Sequence, residues 1–219
     1  ERLFPPQSGL TFSTWICVDK FSSSVCDPHP VRLLTLVRNI QGRDDSFICL
    51  SVFFASRDRA LFVSTQETQM PASGGADLHQ APILNDTTVR FWCAELTQEG
   101  QWRHVCLIFH KAGMLKNSSV SLFVDGVHTS TQKLHYISPN LGGTGTASPN
   151  AATSVFAYVG TPPQLRRASK LIWRQGPFHL VEDIIASSAV SALYGLGPNY
   201  IGSFQAPLSG TSYCSLVWI

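Results

Sequence analysis

The sequence predicts an all-β fold: an antiparallel two-sheet sandwich with one short helix near the C-terminus. Three observations lead there. Roughly a dozen short runs either alternate apolar and polar residues or are apolar throughout, and turn residues break them about every 8–12 positions. Only 14% of the 219 residues are charged, against roughly 25% in an ordinary domain, while 44% are hydrophobic, with 13 Phe and 5 Trp. Finally, the strand-like period gives way to a helical one only after residue 186.

Taken in order, Leu10 to Val18 alternates, with Leu10, Phe12, Thr14, Ile16 and Val18 on one face and Ser13, Trp15 and Cys17 on the other. Val31 to Arg38 and Phe47 to Ala55 are apolar on both faces and predict inner strands. Ala60 to Ser64 and Val89 to Leu96 add shorter strands. Trp102 to Lys111, Val120 to Val124 and Val127 to Gln132 form the clearest block. Asp125-Gly126 joins the last two as a tight hairpin turn, because Gly accepts positive φ without steric cost. Residues 140–152, rich in Gly, Ser, Thr, Pro and Asn, predict a long mobile surface loop. Phe156 to Thr161, Lys170 to Arg174 and Phe178 to Val181 return to strand. Ser187 or Ser188 is expected to cap a helix running through Ala192, with Val190, Leu193 and Tyr194 on one side and Gly195, Gly197 and Pro198 stopping it. No fixed-period repeat is present, so residues 1–206 are expected to form one domain and residues 207–219 a tail without a recognisable pattern.

The charge balance excludes several classes. Sixteen Lys and Arg face 14 Asp and Glu, for a net charge of +2, which does not suit a nucleic-acid binder driven by phosphate contacts. The aromatic content excludes a disordered tail. The most apolar stretch, Phe47 to Ala55, is shorter than the roughly 20 residues a membrane-spanning helix needs. The chain opens Glu1-Arg2-Leu3 with no initiator Met or signal core and reads as a soluble piece of something longer. Six Cys are present without a C-x-x-C pair, and Cys17, Cys49, Cys93 and Cys106 lie in apolar runs, which predicts free buried thiols and a reducing compartment. Two N-x-S/T sequons, at Asn85 and Asn117, weigh little against that.

Chemistry-bearing patterns are sparse. Glycoside hydrolysis needs two facing carboxylates, but there is no E-x-D or D-x-E pair, and adjacent Glu182 and Asp183 point to opposite faces of a strand. No G-x-S-x-G elbow marks a serine hydrolase. His104, Cys106 and His110 share one face of a strand, yet alternate residues stand about 6.6 Å apart, so a buried Cys106 beside a hydrogen-bonded His104 is expected rather than a zinc site. Asp44-Asp45 reads as a solvated acidic turn rather than a calcium loop. No catalytic residue, metal or cofactor is therefore expected. Two positive features remain. Arg166-Arg167-Ala168-Ser169 has the form of a basophilic kinase site, which makes Ser169 a candidate phosphosite. Eleven Arg against 5 Lys, together with the aromatics, make Arg38, Trp173 and Arg174 candidate interaction anchors, although Trp173 could equally be core.

Phe12-Ser13-Thr14-Trp15, Gly100-Gln101-Trp102-Arg103-His104-Val105, Leu122-Phe123-Val124-Asp125-Gly126 and Tyr158-Val159-Gly160, in that order, resemble the concanavalin A-like, laminin-G-like jelly-roll sandwich. Gly9 to Phe21, His29 to Arg38, Val63 to Glu67, Gly113 to Ser118, Leu134 to Tyr136, Gly160 to Pro163, Ile172 to Arg174, Leu196 to Tyr200 and Gly202 to Ala206 resemble the lectin-like domain of the giant BEACH proteins. The similarity is to the Alfy branch, the WD-repeat and FYVE proteins; Pro207 to Ile219 departs from the pattern. The resemblance implies a non-enzymatic module of a large cytoplasmic scaffold active in vesicle traffic and selective autophagy of aggregates. In such proteins helical repeats lie on one side and PH-like, BEACH, WD40 and FYVE modules on the other. It implies protein partners or neighbouring domains, and attachment to autophagic or endosomal membranes through other parts of the parent. The Cys spacing of a FYVE finger is absent, so phosphoinositide binding does not carry over. Glycan binding is the runner-up, without the acidic metal cluster that legume lectins use. The low charge fits a face covered by the rest of the parent.

Overall fold

The computed structural model describes residues 4–27, 29–40, 46–71, 83–113, 117–139, 153–166, 168–202, 204 and 216–217. The strands are β1 (Gly9–Lys20), β2 (Val31–Ile40), β3 (Ser46–Phe54), β4 (Leu61–Ser64), β5 (Thr68–Gln69), β6 (Thr88–Phe91), β7 (Trp102–His110), β8 (Ser119–Val124), β9 (Val127–Lys133), β10 (Thr153–Val159), β11 (Ile172–Val181) and β12 (Leu216–Val217). Among the described residues a single α-helix, α1 (Ser187–Leu196), lies near the C-terminus. The fold is all-β and antiparallel, as the alternation predicts, with two six-stranded sheets among the described residues. One sheet runs β12-β11-β1-β7-β8-β9; the other runs β10-β2-β3-β4-β6, with β5 also paired to β3. The chain forms two compact units, each built on one sheet: residues 1–19, 98–133 and 173–219, and residues 20–97 and 134–172.

In the first unit, β1 is buried from Gly9 to Val18 on both of its faces. Leu10, Phe12 and Ile16 make one face apolar, and β7 and β8 continue it with Val105, Leu107, Phe109, Val120, Leu122 and Val124. The β1–β7 register sets Trp15 opposite His104 and Ser13 opposite Cys106. On that second face Cys106, Ile108 and Phe123 pack with Val190 of α1 and with Ile185. Sheet and helix are thus joined through a continuous apolar layer.

The Asp125-Gly126 hairpin forms as expected. Val124 and Val127 pair directly, and both turn residues have positive φ, 49° and 79°, as a two-residue turn matching the strand twist requires. Asp125 is fixed further by its side chain, which accepts from the His104 backbone N–H at 2.9 Å and from Arg103 at 2.8 Å. A β-carbon on Gly126 would meet the Tyr194 side chain at 3.1 Å. Gly126→Ala is therefore expected to cost about 1–2 kcal/mol, from left-handed backbone strain and from displacement of α1. Urea denaturation checks this, and a loss below about 0.5 kcal/mol, the range of ordinary surface substitutions, would contradict it.

The second unit is built on β2 and β3, with Val37, Ile48 and Met70 packed beside Tyr158 and Leu165. Phe53 and Phe62 stack at 5.5 Å, and Arg32, 7% exposed, lies over Phe53 at 5.6 Å. Burial lowers the pKa of Arg32 to about 10, so it stays charged against the ring face at neutral pH.

Several boundaries differ from the sequence reading. Val89 to Leu96 is only a short strand, β6, followed by a 3-10 turn over Ala94–Thr97. β5 has two exposed residues and no pattern to betray it. β11 runs unbroken through Gly176 and Pro177, where two strands were expected; among the described residues β12 pairs only with Leu180 and Val181, so Pro177 interrupts no registered ladder on that side. Helix α1 is capped by the extended Ala186 with no side-chain hydrogen bond, so neither Ser187 nor Ser188 is the cap. Gly195 lies inside the helix, and Gly197, at φ 80°, ends it. The 140–152 loop, Asp44-Asp45 and Cys214 lie outside the described residues.

Candidate functional site

The second face of β1 carries Ser13, Trp15, Cys17 and Asp19 at alternate positions, and each finds a partner within the first unit. Ser13 Oγ and His104 Nε2 are 2.8 Å apart. Trp15 stacks on Tyr194 of α1 at 5.5 Å and tilts against His104 at 5.4 Å. His104 is 1% exposed, with its Nδ1 buried and without a hydrogen-bond partner. Its pKa is pushed down to about 4, first by burial and then by His179, against the pull of Asp125. Burial lowers His179 in the same direction. Ser13, Trp15, His104, Pro177, His179, Leu193, Leu196, Gly197 and Tyr200 enclose a seam too tight to admit a water molecule. His179 and Tyr200 both contact Phe204.

This arrangement has a serine beside a histidine but not the chemistry of a nucleophile. Both residues are buried, and the seam has no room for a substrate. His110 turns to the Ser121 hydroxyl at 3.4 Å, and Cys106 sits in the apolar layer. Among the described residues no group of three or more His, Cys, Asp or Glu is placed to hold a metal ion. The thiols match the expectation of free, buried Cys: Cys17, Cys49, Cys93 and Cys106 are buried and unbridged. Burial raises Cys49 and Cys93 to about 11 and Cys106 to about 12, so these three are protonated near neutrality. Cys26 is free and exposed.

Farther along the same face the site opens to solvent. Arg174 on β11 forks onto Asp19, with Nε and Nη2 donating at 2.9 and 2.8 Å. Its guanidinium lies over Trp102 at 5.3 Å and also approaches the Cys17 sulfur. The fork holds the Asp19 carboxyl below its usual range and raises the guanidinium. Arg174 nevertheless remains 55% exposed. Exposed apolar side chains of the same unit are Val127, Ile184, Tyr194, Leu196 and Ile201. Tyr194 lies against Gly126, next to Val127, so the helix end and the hairpin tip share one surface.

The other sequence-derived anchors fare differently. Trp173 is half-buried on β11. Arg38 is 1% exposed, and its Nη2 donates to the Ser138 carbonyl at 2.7 Å. This corrects the expectation of a surface anchor: burial of the whole side chain leaves a partner no access to it. Ser169 is exposed and lies in the second unit. Sequence reasoning missed the Ser13–His104 pair and the role of Asp19. Their only trace is Ser13 and Asp19 on the face of β1 that also carries Trp15 and Cys17.

No protein-family model matches the chain. The chain is similar to WD repeat- and FYVE domain-containing protein 4 of mouse, 34% identical over 206 residues, covering 94% of this chain and 6% of that protein. The human protein of the same name gives the same identity and coverage. Protein SPIRRIG of Arabidopsis thaliana is 32% identical over 215 residues, with 94% and 6% covered. The chain is a relative of the BEACH-family WD-repeat and FYVE proteins. It spans about 6% of the length of these curated relatives. Among solved structures it is similar to the botulinum neurotoxin serotype D/C binding domain, with a TM-score of 0.45 and 10% identity over 86% of this chain and 36% of that one. The botulinum neurotoxin type G receptor-binding domain gives a TM-score of 0.45 and 9% identity over 87% and 38%. Among the described residues no helix is long and apolar enough to cross a membrane.

Proposed function

We propose that this chain is a non-catalytic protein-interaction module of a large cytoplasmic scaffold, one that serves membrane traffic and selective autophagy of aggregates through a neighbouring segment or a protein partner. One observation carries the reading: the groups on the β1 face that could do chemistry are buried and paired, whereas an arginine fork and apolar side chains face solvent. Arginine and aromatic groups at the centre of an apolar surface are the usual anchors of protein interfaces. The buried, protonated thiols are compatible with a reducing compartment. Homology along almost the whole chain to a small segment of very long proteins supports a module working in the context of a larger polypeptide. Trp173, next to Arg174 in the strand, alternates to the opposite face of β11 and is left outside the proposed anchor surface.

The test is titration calorimetry of the chain against segments that flank it in its parent polypeptide. A saturable complex with one of them is expected. Arg174→Ala together with Ile201→Asp, at a side chain that is 96% exposed, should weaken it at least about tenfold, the effect of removing one interface anchor, while leaving the unfolding midpoint nearly unchanged. A glycan array with and without calcium supplies the opposing outcome. Saturable, calcium-dependent sugar binding with no protein complex would replace this reading by a lectin.

A further inference from the structure

We propose that Ser169 is a phosphorylation site whose modification unfastens residues 168–171 from the loop that carries Asp27. The sequence supplies the acceptor context, with Arg166 and Arg167 at the third and second positions before the serine. The structure supplies access. The 3-10 turn Pro163–Leu165 ends at Arg166 in extended conformation, and among the described residues no helix or strand resumes before Ile172. Arg166, Ala168, Ser169 and Lys170 are all exposed; Arg167 lies outside the described residues. Exposed residues around a serine, with Arg at the third and second positions before it, are what an arginine-directed kinase cleft accommodates.

The structure also shows what the hydroxyl does before modification. Ser169 Oγ donates to Asp27 Oδ2 at 2.8 Å, and the Lys170 N–H donates to the same oxygen at 2.8 Å. Ser169 Oγ in turn accepts from the Leu171 N–H at 3.0 Å. Asp27 meets His29 Nδ1 on its other oxygen, and its backbone N–H bonds the Ser23 carbonyl at 3.0 Å. One carboxylate therefore ties two segments 142 residues apart. The Lys170 N–H and then the Ser169 hydroxyl hold Asp27 below the ordinary carboxylate range, so it is charged at neutral pH.

Transfer from a nucleoside triphosphate forms the Ser169 Oγ–P bond and breaks the bond from the γ-phosphorus to the bridging oxygen. The nucleoside diphosphate leaves, and the hydroxyl proton passes to the kinase base. Oγ then has no hydrogen to donate. In its place a group of nearly two negative charges stands against the Asp27 carboxylate, and like charges at hydrogen-bond distance repel. The switch is thus a donor turned into an anion at the point where a donor is required.

The experiment treats the 219-residue chain with ATP and an arginine-directed kinase catalytic subunit, maps the phosphate by mass spectrometry, and compares amide hydrogen exchange before and after. One phosphate on Ser169 is expected, absent from Ser169→Ala. Exchange of residues 23–29 and 168–171 should rise about tenfold, as for loss of a hydrogen bond to a charged group, with the β1–β7 amides unchanged. Asp27→Asn should reduce that increase, because it removes the like charge. A chain that is not phosphorylated at Ser169 overturns the proposal, as does a phosphorylated one with unchanged exchange in both segments; neither readout depends on a variant folding.

Discussion

Trp15→Ala is expected to destabilise the chain by about 3–5 kcal/mol, the usual cost of truncating a buried Trp, and to detach α1 from its sheet. Trp15 is only 8% exposed, with Tyr194 stacked on its ring and His104 tilted against it. Its β-carbon also bears on the close approach of Gly176. Removing the indole opens a hole that the sheet cannot close, since the β1–β7 ladder holds the backbone on both sides of it. The helix is the element that responds. It has ten residues, no side-chain N-cap and one fully buried side chain, Val190. Isolated helices of that length are marginal in water, so α1 depends on its packing for its existence. The urea midpoint and exchange of the α1 amides measure both effects. Trp15→Phe, which keeps a ring in place, should lose less than half as much. A Trp15→Ala variant within about 1 kcal/mol of wild type would show that the ring is not a core residue.

Acid is expected to remove about 3 kcal/mol of stability through His104. Its ordinary pKa of 6.5 applies to the unfolded chain, and burial holds the folded value at about 4. Between those values the unfolded state binds more protons, so stability falls as pH falls, beginning near 6.5 and levelling off for this group near 4. The shift corresponds to roughly 3 kcal/mol at about 1.4 kcal/mol per pH unit. The groups around the ring are Ser13, Asp125, His179, Trp15 and Tyr194; Asp125 opposes the shift and His179, itself lowered, adds to it. The Ser13→Ala/His104→Leu double variant removes both hydrogen-bonding partners together, so no buried polar atom is stranded by the change. Urea unfolding at intervals from pH 7 to pH 4 should show a steeper decline for wild type than for the double variant. Parallel profiles would mean that His104 is not the group responsible.

Much of the architecture was legible in the residues. Alternation along Leu10 to Val18 places Trp15 and Ser13 together, because successive side chains in a strand point to opposite faces. The Asp125-Gly126 pair specifies its turn because few other residues tolerate positive φ at both central positions. Cys106 in an apolar run reads as buried, and it is. The errors have equally physical causes. Arg38 looks like an anchor because isolated guanidinium groups belong in water; it is buried because the Ser138 carbonyl, 100 residues away, receives it. β5 carries no pattern, because two exposed residues paired at an edge need none.

The sequence by itself determined the class of fold, the hairpin, the buried thiols, the kinase-type motif around Ser169 and the kinship with long BEACH proteins. These are properties of local pattern, and local pattern follows from steric limits on φ and ψ and from the period of burial. Only the tertiary structure decided which polar groups are spent inside and which remain outside. Ser13 with His104, Arg174 with Asp19, and Ser169 with Asp27 are separated by 91, 155 and 142 residues. No periodicity links positions that far apart. Their pairing is set by which strands and loops the folded chain brings side by side, and by the cost of leaving a buried charge or donor without a partner.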